Sequence, residues 1–146
     1  MSFGPIYIDH IGIATENLDD ASTFWTLLGL EQGAEDETVA DQGVTTRFFS
    51  TSTPLDAPVP HPPMVELLEP TGVDTPIGKF LAKRGPGVQQ ICFSVGDLDG
   101  LILHLIEHGI HMINVEPQIG AGGKRIAFVH PKSTGGVLVE LTEKAH

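Results

Sequence analysis

The stretch His10-Ile11-Gly12-Ile13-Ala14-Thr15-Glu16-Asn17-Leu18-Asp19 returns 80 residues later as Gln90-Ile91-Cys92-Phe93-Ser94-Val95-Gly96-Asp97-Leu98-Asp99. Each copy opens as a strand of alternating side chains, meets a short polar capping residue, and turns into an amphipathic helix. Asn17 caps a helix predicted from Leu18 to about Leu28, where Ala21, Phe24, Trp25 and Leu28 recur at helical spacing, and Gly29 ends it. Asp97 does the same for Leu98 to His108, and Gly109 stops that helix. Strand, cap and helix stop all align at one offset, which predicts an internal duplication. With two copies, this makes a paired module rather than a solenoid.

The remaining segments fill out each copy. Strands are predicted at about Leu30–Thr38 and Val44–Ser50, with Asp41-Gln42-Gly43 turning between them, and at Met64–Leu68. Prolines and short polar residues make 51–63 an irregular loop, in which His61 reads as solvent-exposed. Thr75-Pro76 caps a short linker helix, Ile77–Arg84, closed by Gly85. In the second half, strands are predicted at Ile110–Val115, Arg125–Val129 and Gly136–Thr142. The expected fold is α+β, two β-α-β-β-β modules in one domain: module one about 5–70, linker helix about 75–85, module two about 87–143.

A chain of 146 residues can bury a substantial core without disulfides. Its one cysteine, Cys92, lies in an apolar run and reads as a small buried hydrophobe, so a cytoplasmic home is expected. A formal charge of -11 argues against nucleic acid or an anionic membrane surface as partner. Neither a basic-then-apolar leader nor a bilayer-length apolar run occurs.

The chemistry is concentrated on four positions. Glu140 interrupts the apolar run Val137-Leu138-Val139-Glu140-Leu141, and a buried carboxylate needs a cation, a hydrogen-bond network, a metal or a proton. The duplication places Val65-Glu66-Leu67 opposite Val139-Glu140-Leu141, and His10 opposite Gln90. Alternation puts Gly12 and Ala14 on the face of His10, and Cys92 and Ser94 on the face of Gln90, while bulkier residues take the opposite faces. Small residues around polar ones suit a concave ligand cavity. His10, Glu66, Gln90 and Glu140 make a nitrogen and oxygen set suited to a divalent metal, the alternative being that these groups satisfy one another.

Other features read differently. His104, His108 and His111 include an i, i+4 pair that could bind a metal, but the opposite helix face is the apolar one, carrying Leu101, Ile102, Leu105 and Ile106, so the histidines read as a solvated face. Gly120-Ala121-Gly122-Gly123-Lys124 lacks the spacing of a phosphate loop and reads as a flexible loop beside the site. No Ser/His/Asp arrangement appears, and a buried cysteine is a poor nucleophile.

Several stretches carry a resemblance: Ile8-Asp9-His10-Ile11-Gly12-Ile13-Ala14, Val65-Glu66-Leu67-Leu68-Glu69-Pro70, Pro76-Ile77-Gly78-Lys79-Phe80-Leu81, and Ile119-Gly120 through His130-Pro131-Lys132 to Glu140-Leu141. Over nearly its whole length the chain resembles the methylmalonyl-CoA epimerase family of the vicinal oxygen chelate (glyoxalase-like) superfamily. The resemblance implies a homodimer whose modules form one curved mixed sheet around a divalent metal held by His10, Glu66, Gln90 and Glu140. Cobalt is the metal implied, with nickel, manganese and zinc as alternatives. It also implies an acyl-CoA substrate whose alpha proton is removed to an enolate, with Glu140 as one base and Glu66 as the other. Lys124, Arg125 and Lys132, with Lys79, Lys83 and Arg84, become candidate contacts for CoA phosphates. Two positions depart from the family pattern: Gln90 stands where a histidine is usual, and Thr46 where bacterial members commonly carry a second catalytic glutamate. A glyoxalase I-like lactoylglutathione lyase and a non-catalytic small-molecule binder are the rival readings.

Overall fold

The computed structural model describes residues 2–143. The chain divides into two compact units, His10–Gln89 and Met1–Asp9 with Gln90–His146. The boundary cuts both first strands of the repeat, so each unit is described in turn.

In the unit His10–Gln89, β1 (Tyr7–Ala14) leads to α1 (Leu18–Leu28), then β2 (Glu31–Gln32), β3 (Glu37–Val39), β4 (Val44–Ser50), β5 (Met64–Pro70) and α2 (Pro76–Arg84). The sheet order is β2-β4-β5-β1, with β3 also on β4. β1 and β5 run parallel, as a strand-helix crossover demands, and β4 and β5 antiparallel. Asn17 caps α1 by accepting from Asp20 N at 2.9 Å, and Gly29 ends it in the left-handed region at φ 108°. One sheet face packs Phe49 and Leu67 with Leu18, Ala21 and Trp25 of α1. On the other, Ala14, Val44 and Leu68 meet Ile77, Phe80 and Leu81 of α2. Phe24 is instead 61% exposed, edge-on to Trp25.

In the second unit, β6 (Gly87–Ser94) leads to α3 (Leu98–Glu107), β7 (Gln118–Ile119), β8 (Arg125–Val129) and β9 (Leu138–Glu143). Here the order is β6-β9-β8-β7, with β6 and β9 parallel and β8 and β9 antiparallel. Leu98, Ile102 and Leu105 of α3 pack on Phe93, Ala127, Val129, Val139 and Leu141. Among the described residues no helix is long and apolar enough to cross a membrane.

Two predicted strands are corrected. Leu30–Thr38 breaks into β2 and β3: the Gly33 amide, donating to Phe48 O at 2.8 Å, continues the β2 register, but β3 resumes with Glu37 opposite Thr46, out of that register, and Asp36 between them is drawn to Arg47. Ile110–Val115 is no strand: Met112 alone bridges Val129, and Asn114 Oδ1 takes the Phe128 amide at 2.9 Å, replacing the ladder with a side chain. The second strand of each copy is thus broken. β9 also begins later than predicted, after left-handed Gly135 and Gly136.

The repeat reaches the helix starts. Glu69 accepts the Leu18 amide at 3.2 Å and Glu143 the Leu98 amide at 2.6 Å, so a carboxylate from each last strand sits at the positive end of the helix. An arginine from the preceding strand works in each unit, and of the two Arg125 reaches the last-strand glutamate itself. Arg47 pairs with Asp36 at 2.8 Å and Asp19 at 3.0 Å, and donates to Ser22 Oγ at 2.8 Å. Arg125 pairs with Asp99 at 2.7 Å and Glu143 at 3.3 Å. The bond to Arg47 holds the Asp36 carboxyl below its ordinary range, against the opposing pull of burial. Such a group stabilises the fold above its unfolded pKa, about 3.9, and the contribution is lost as pH falls through the lower folded value. Arg47→Met is expected to cost about 1–3 kcal/mol at pH 7. In urea denaturation the gap from the wild type should narrow below pH 4.

Candidate active site

In the unit His10–Gln89, register decides which side chains meet. Gly12 pairs with Glu66 across β1 and β5, and Phe48 with Glu66 across β4 and β5, so His10, Gly12, Ala14, Glu66 and Phe48 share a face. His10 Nε2 lies 3.1 Å from Glu66 Oε1, and both residues are buried, at 5% and 3% exposure. The Phe48 ring stands edge-on to the imidazole, centroids 5.4 Å apart at 87°. Gly12 and Ala14 keep the neighbouring surface low. The result is a buried nitrogen and oxygen pair held by one aromatic ring.

The other unit repeats the arrangement with one exchange. Cys92 pairs with Glu140 across β6 and β9, and Phe128 with Glu140 across β8 and β9. Gln90, Cys92, Glu140 and Phe128 therefore share a face. Gln90 Nε2 donates to Glu140 Oε1 at 2.7 Å, with both residues at 7% exposure. Where the first copy sets an imidazole against its glutamate, this copy sets an amide.

Inside each unit two of the four expected ligands meet, His10 with Glu66 and Gln90 with Glu140. An imidazole nitrogen beside a carboxylate in one unit, and an amide beside a carboxylate in the other, are each donor types that a hard or borderline divalent ion accepts. Burial adds to the fit, because paired buried carboxylates gain most from a nearby cation.

The predicted cationic contacts fare unequally. Lys124 follows the glycine loop and lies 3.8 Å from Asp9, a buried carboxylate that the sequence reading passed over. The signal was present, because Asp9 interrupts a strand of apolar residues as Glu140 does. Arg125 shares the helix-facing side of β8 with Ala127 and Val129, and Asp99 and Glu143 engage it. Its hydrogen bond to Asp99 leads in raising its pKa. Lys132 is exposed in the turn Pro131–Ser133. Lys79, Lys83 and Arg84 are exposed on α2, with the Arg84 guanidinium 5.8 Å from the Phe80 ring centre. Thr46, at 2% exposure, shares the Glu66 face and lies across from Glu37.

The glyoxalase/bleomycin resistance protein/dioxygenase superfamily model matches residues 9–128. An ethylmalonyl-CoA/methylmalonyl-CoA epimerase of Cereibacter sphaeroides is 37% identical, over 93% of this chain and 96% of its own. The mitochondrial methylmalonyl-CoA epimerase of Dictyostelium discoideum is 35% identical, over 94% and 78%. The chain belongs to the methylmalonyl-CoA epimerase family. Among solved structures, a variant of the Streptomyces coelicolor epimerase in complex with 2-nitronate-propionyl-CoA superposes with a TM-score of 0.86 at 36% identity, covering 99% of this chain and 100% of that one. Membership of this family and superfamily accounts for the α+β architecture.

Gln90 holds the Glu140 carboxylate in place by donation. Gln90→Ala is expected to weaken cobalt binding about 10–100-fold by calorimetry. Gln90→His, which restores an imidazole, should bind cobalt at least as tightly as the wild type.

Proposed function

We propose that the chain is an isomerase, a metal-dependent epimerase of methylmalonyl-CoA or a related 2-substituted acyl-CoA. The observation that carries this reading is the repeated pair of buried polar partners, His10–Glu66 and Gln90–Glu140, in a chain that matches the named epimerases over nearly its full length. We take His10, Glu66, Gln90 and Glu140 as metal ligands. A divalent ion, cobalt by family likeness with nickel, manganese or zinc as alternatives, supplies Lewis-acid stabilisation of negative charge on substrate oxygens.

The chain's own groups move the proton. Glu140 takes the C2 proton, and the electron pair of the C–H bond passes into the enolate of the thioester. The Gln90 amide bonds one Glu140 oxygen and so fixes the carboxylate's orientation during transfer. Return of a proton to the other face of C2 completes the inversion. Glu66, the twin of Glu140 in the repeat, serves the opposite epimer, because Thr46 is no base near neutral pH. The His10 imidazole fixes Glu66 as Gln90 fixes Glu140. Lys124 and Lys132 contact the CoA phosphates, and Arg125, tied to Asp99 and Glu143, belongs instead to the fold. The protein works as a cytoplasmic homodimer, and its two modules act as one glyoxalase-like domain.

The test is proton exchange. Metal-loaded protein incubated with methylmalonyl-CoA in heavy water should place deuterium at C2, followed by NMR. Glu140→Gln should abolish entry, and Glu66→Gln should slow exchange of one epimer more than the other. No entry with cobalt, nickel, manganese or zinc would refute the epimerase, and turnover of the methylglyoxal-glutathione hemithioacetal would favour a lyase.

A further inference from the structure

The last turn of α3 reads His104-Leu105-Ile106-Glu107-His108, two histidines four residues apart with a glutamate beside the second. Side chains at that spacing lie one above the other on a helix. Their rings have met: the centroids are 4.4 Å apart at 49°. A solvated face explains why His108 is exposed, but it does not explain why the rings pair.

The hydrogen bonding is more specific. His108 Nδ1 lies 2.8 Å from the His104 carbonyl oxygen. A carbonyl oxygen only accepts, so Nδ1 carries the proton and the lone pair of the neutral ring sits on Nε2. A backbone carbonyl that fixes the tautomer in this way is the usual support of a metal-ligating histidine. His104 is steadied from its other side by the Phe3 ring, 5.0 Å away. Both imidazoles are therefore ordered before any ligand arrives, which lowers the entropy cost of binding.

The electrostatics favour a cation. α3 ends at Glu107, so the negative end of its dipole lies at the histidines, and Glu107 adds an exposed carboxylate. The order His-x-x-Glu-His is itself that of a zinc-binding helix.

We propose that His104 and His108 form a second metal site, on the surface of α3, for a borderline transition-metal ion of the zinc class. Nε2 of His108 and a ring nitrogen of His104 are the ligands, and water completes a tetrahedral shell beside Glu107. None of the residues assigned to proton transfer takes part.

Zinc titrated into the whole protein should shift the ring protons of His104 and His108 in NMR before those of His61 and His111. In equilibrium dialysis, the double variant His104→Ala, His108→Ala should hold one zinc ion fewer per chain than the wild type, with deuterium exchange at C2 unchanged. The same ring shifts are expected in His10→Ala, so failure of the epimerase reading leaves this result intact. Equal zinc content in the wild type and double variant, or ring protons indifferent to zinc, would overturn the proposal. If the double variant does not fold, the wild-type titration alone decides.

Discussion

A carboxylate buried on a strand face must be answered by a donor or a cation, and each unit answers its own from the strand alongside. Glu66 receives His10 from β1, and Glu140 receives Gln90 from β6. Burial makes both pairs consequential, because a lost partner leaves a charge without water or a counter-ion. The local fold serves that requirement. Parallel pairing of first and last strands puts donor and carboxylate on one face, small residues keep the space around them, and Phe48 or Phe128 lies across from each glutamate.

A second set of carboxylates works for the fold instead. Glu69 and Glu143 lie three residues beyond the site glutamates, which turns them to the opposite side of the strand, towards the helices. There they accept the first helical amides, and Arg47 and Arg125 tie strand to helix nearby. One strand thereby carries the buried acid paired with His10 or Gln90 on one face and an acid for architecture on the other. The offset of three residues decides which is which.

The duplication made much of this readable in advance. The caps Asn17, Thr75 and Asp97, the extent of α1 and the matched glutamates all follow from local pattern and spacing. What escaped depends on contacts distant in sequence. The broken second strands answer to the register shift between β2 and β3 on β4 and to Asn114 replacing a backbone acceptor, neither of which has a signal in hydrophobic alternation. Arg125 looked like a phosphate contact because it follows a glycine loop, yet Asp99 and Glu143, 26 and 18 residues away, engage it. Asp9 carries the same signal as Glu140, a carboxylate set into an apolar strand, and it too is buried.

The exchange of imidazole for amide between the copies is the feature on which the chemical account turns. It leaves His10 as the sole imidazole among the four assigned ligands. X-ray absorption at the cobalt edge, on the double variant His104→Ala, His108→Ala given less than one equivalent of cobalt, measures that directly. The account predicts one imidazole with the remaining donors oxygen; two imidazoles, none, or a sulfur donor from Cys92 would contradict it.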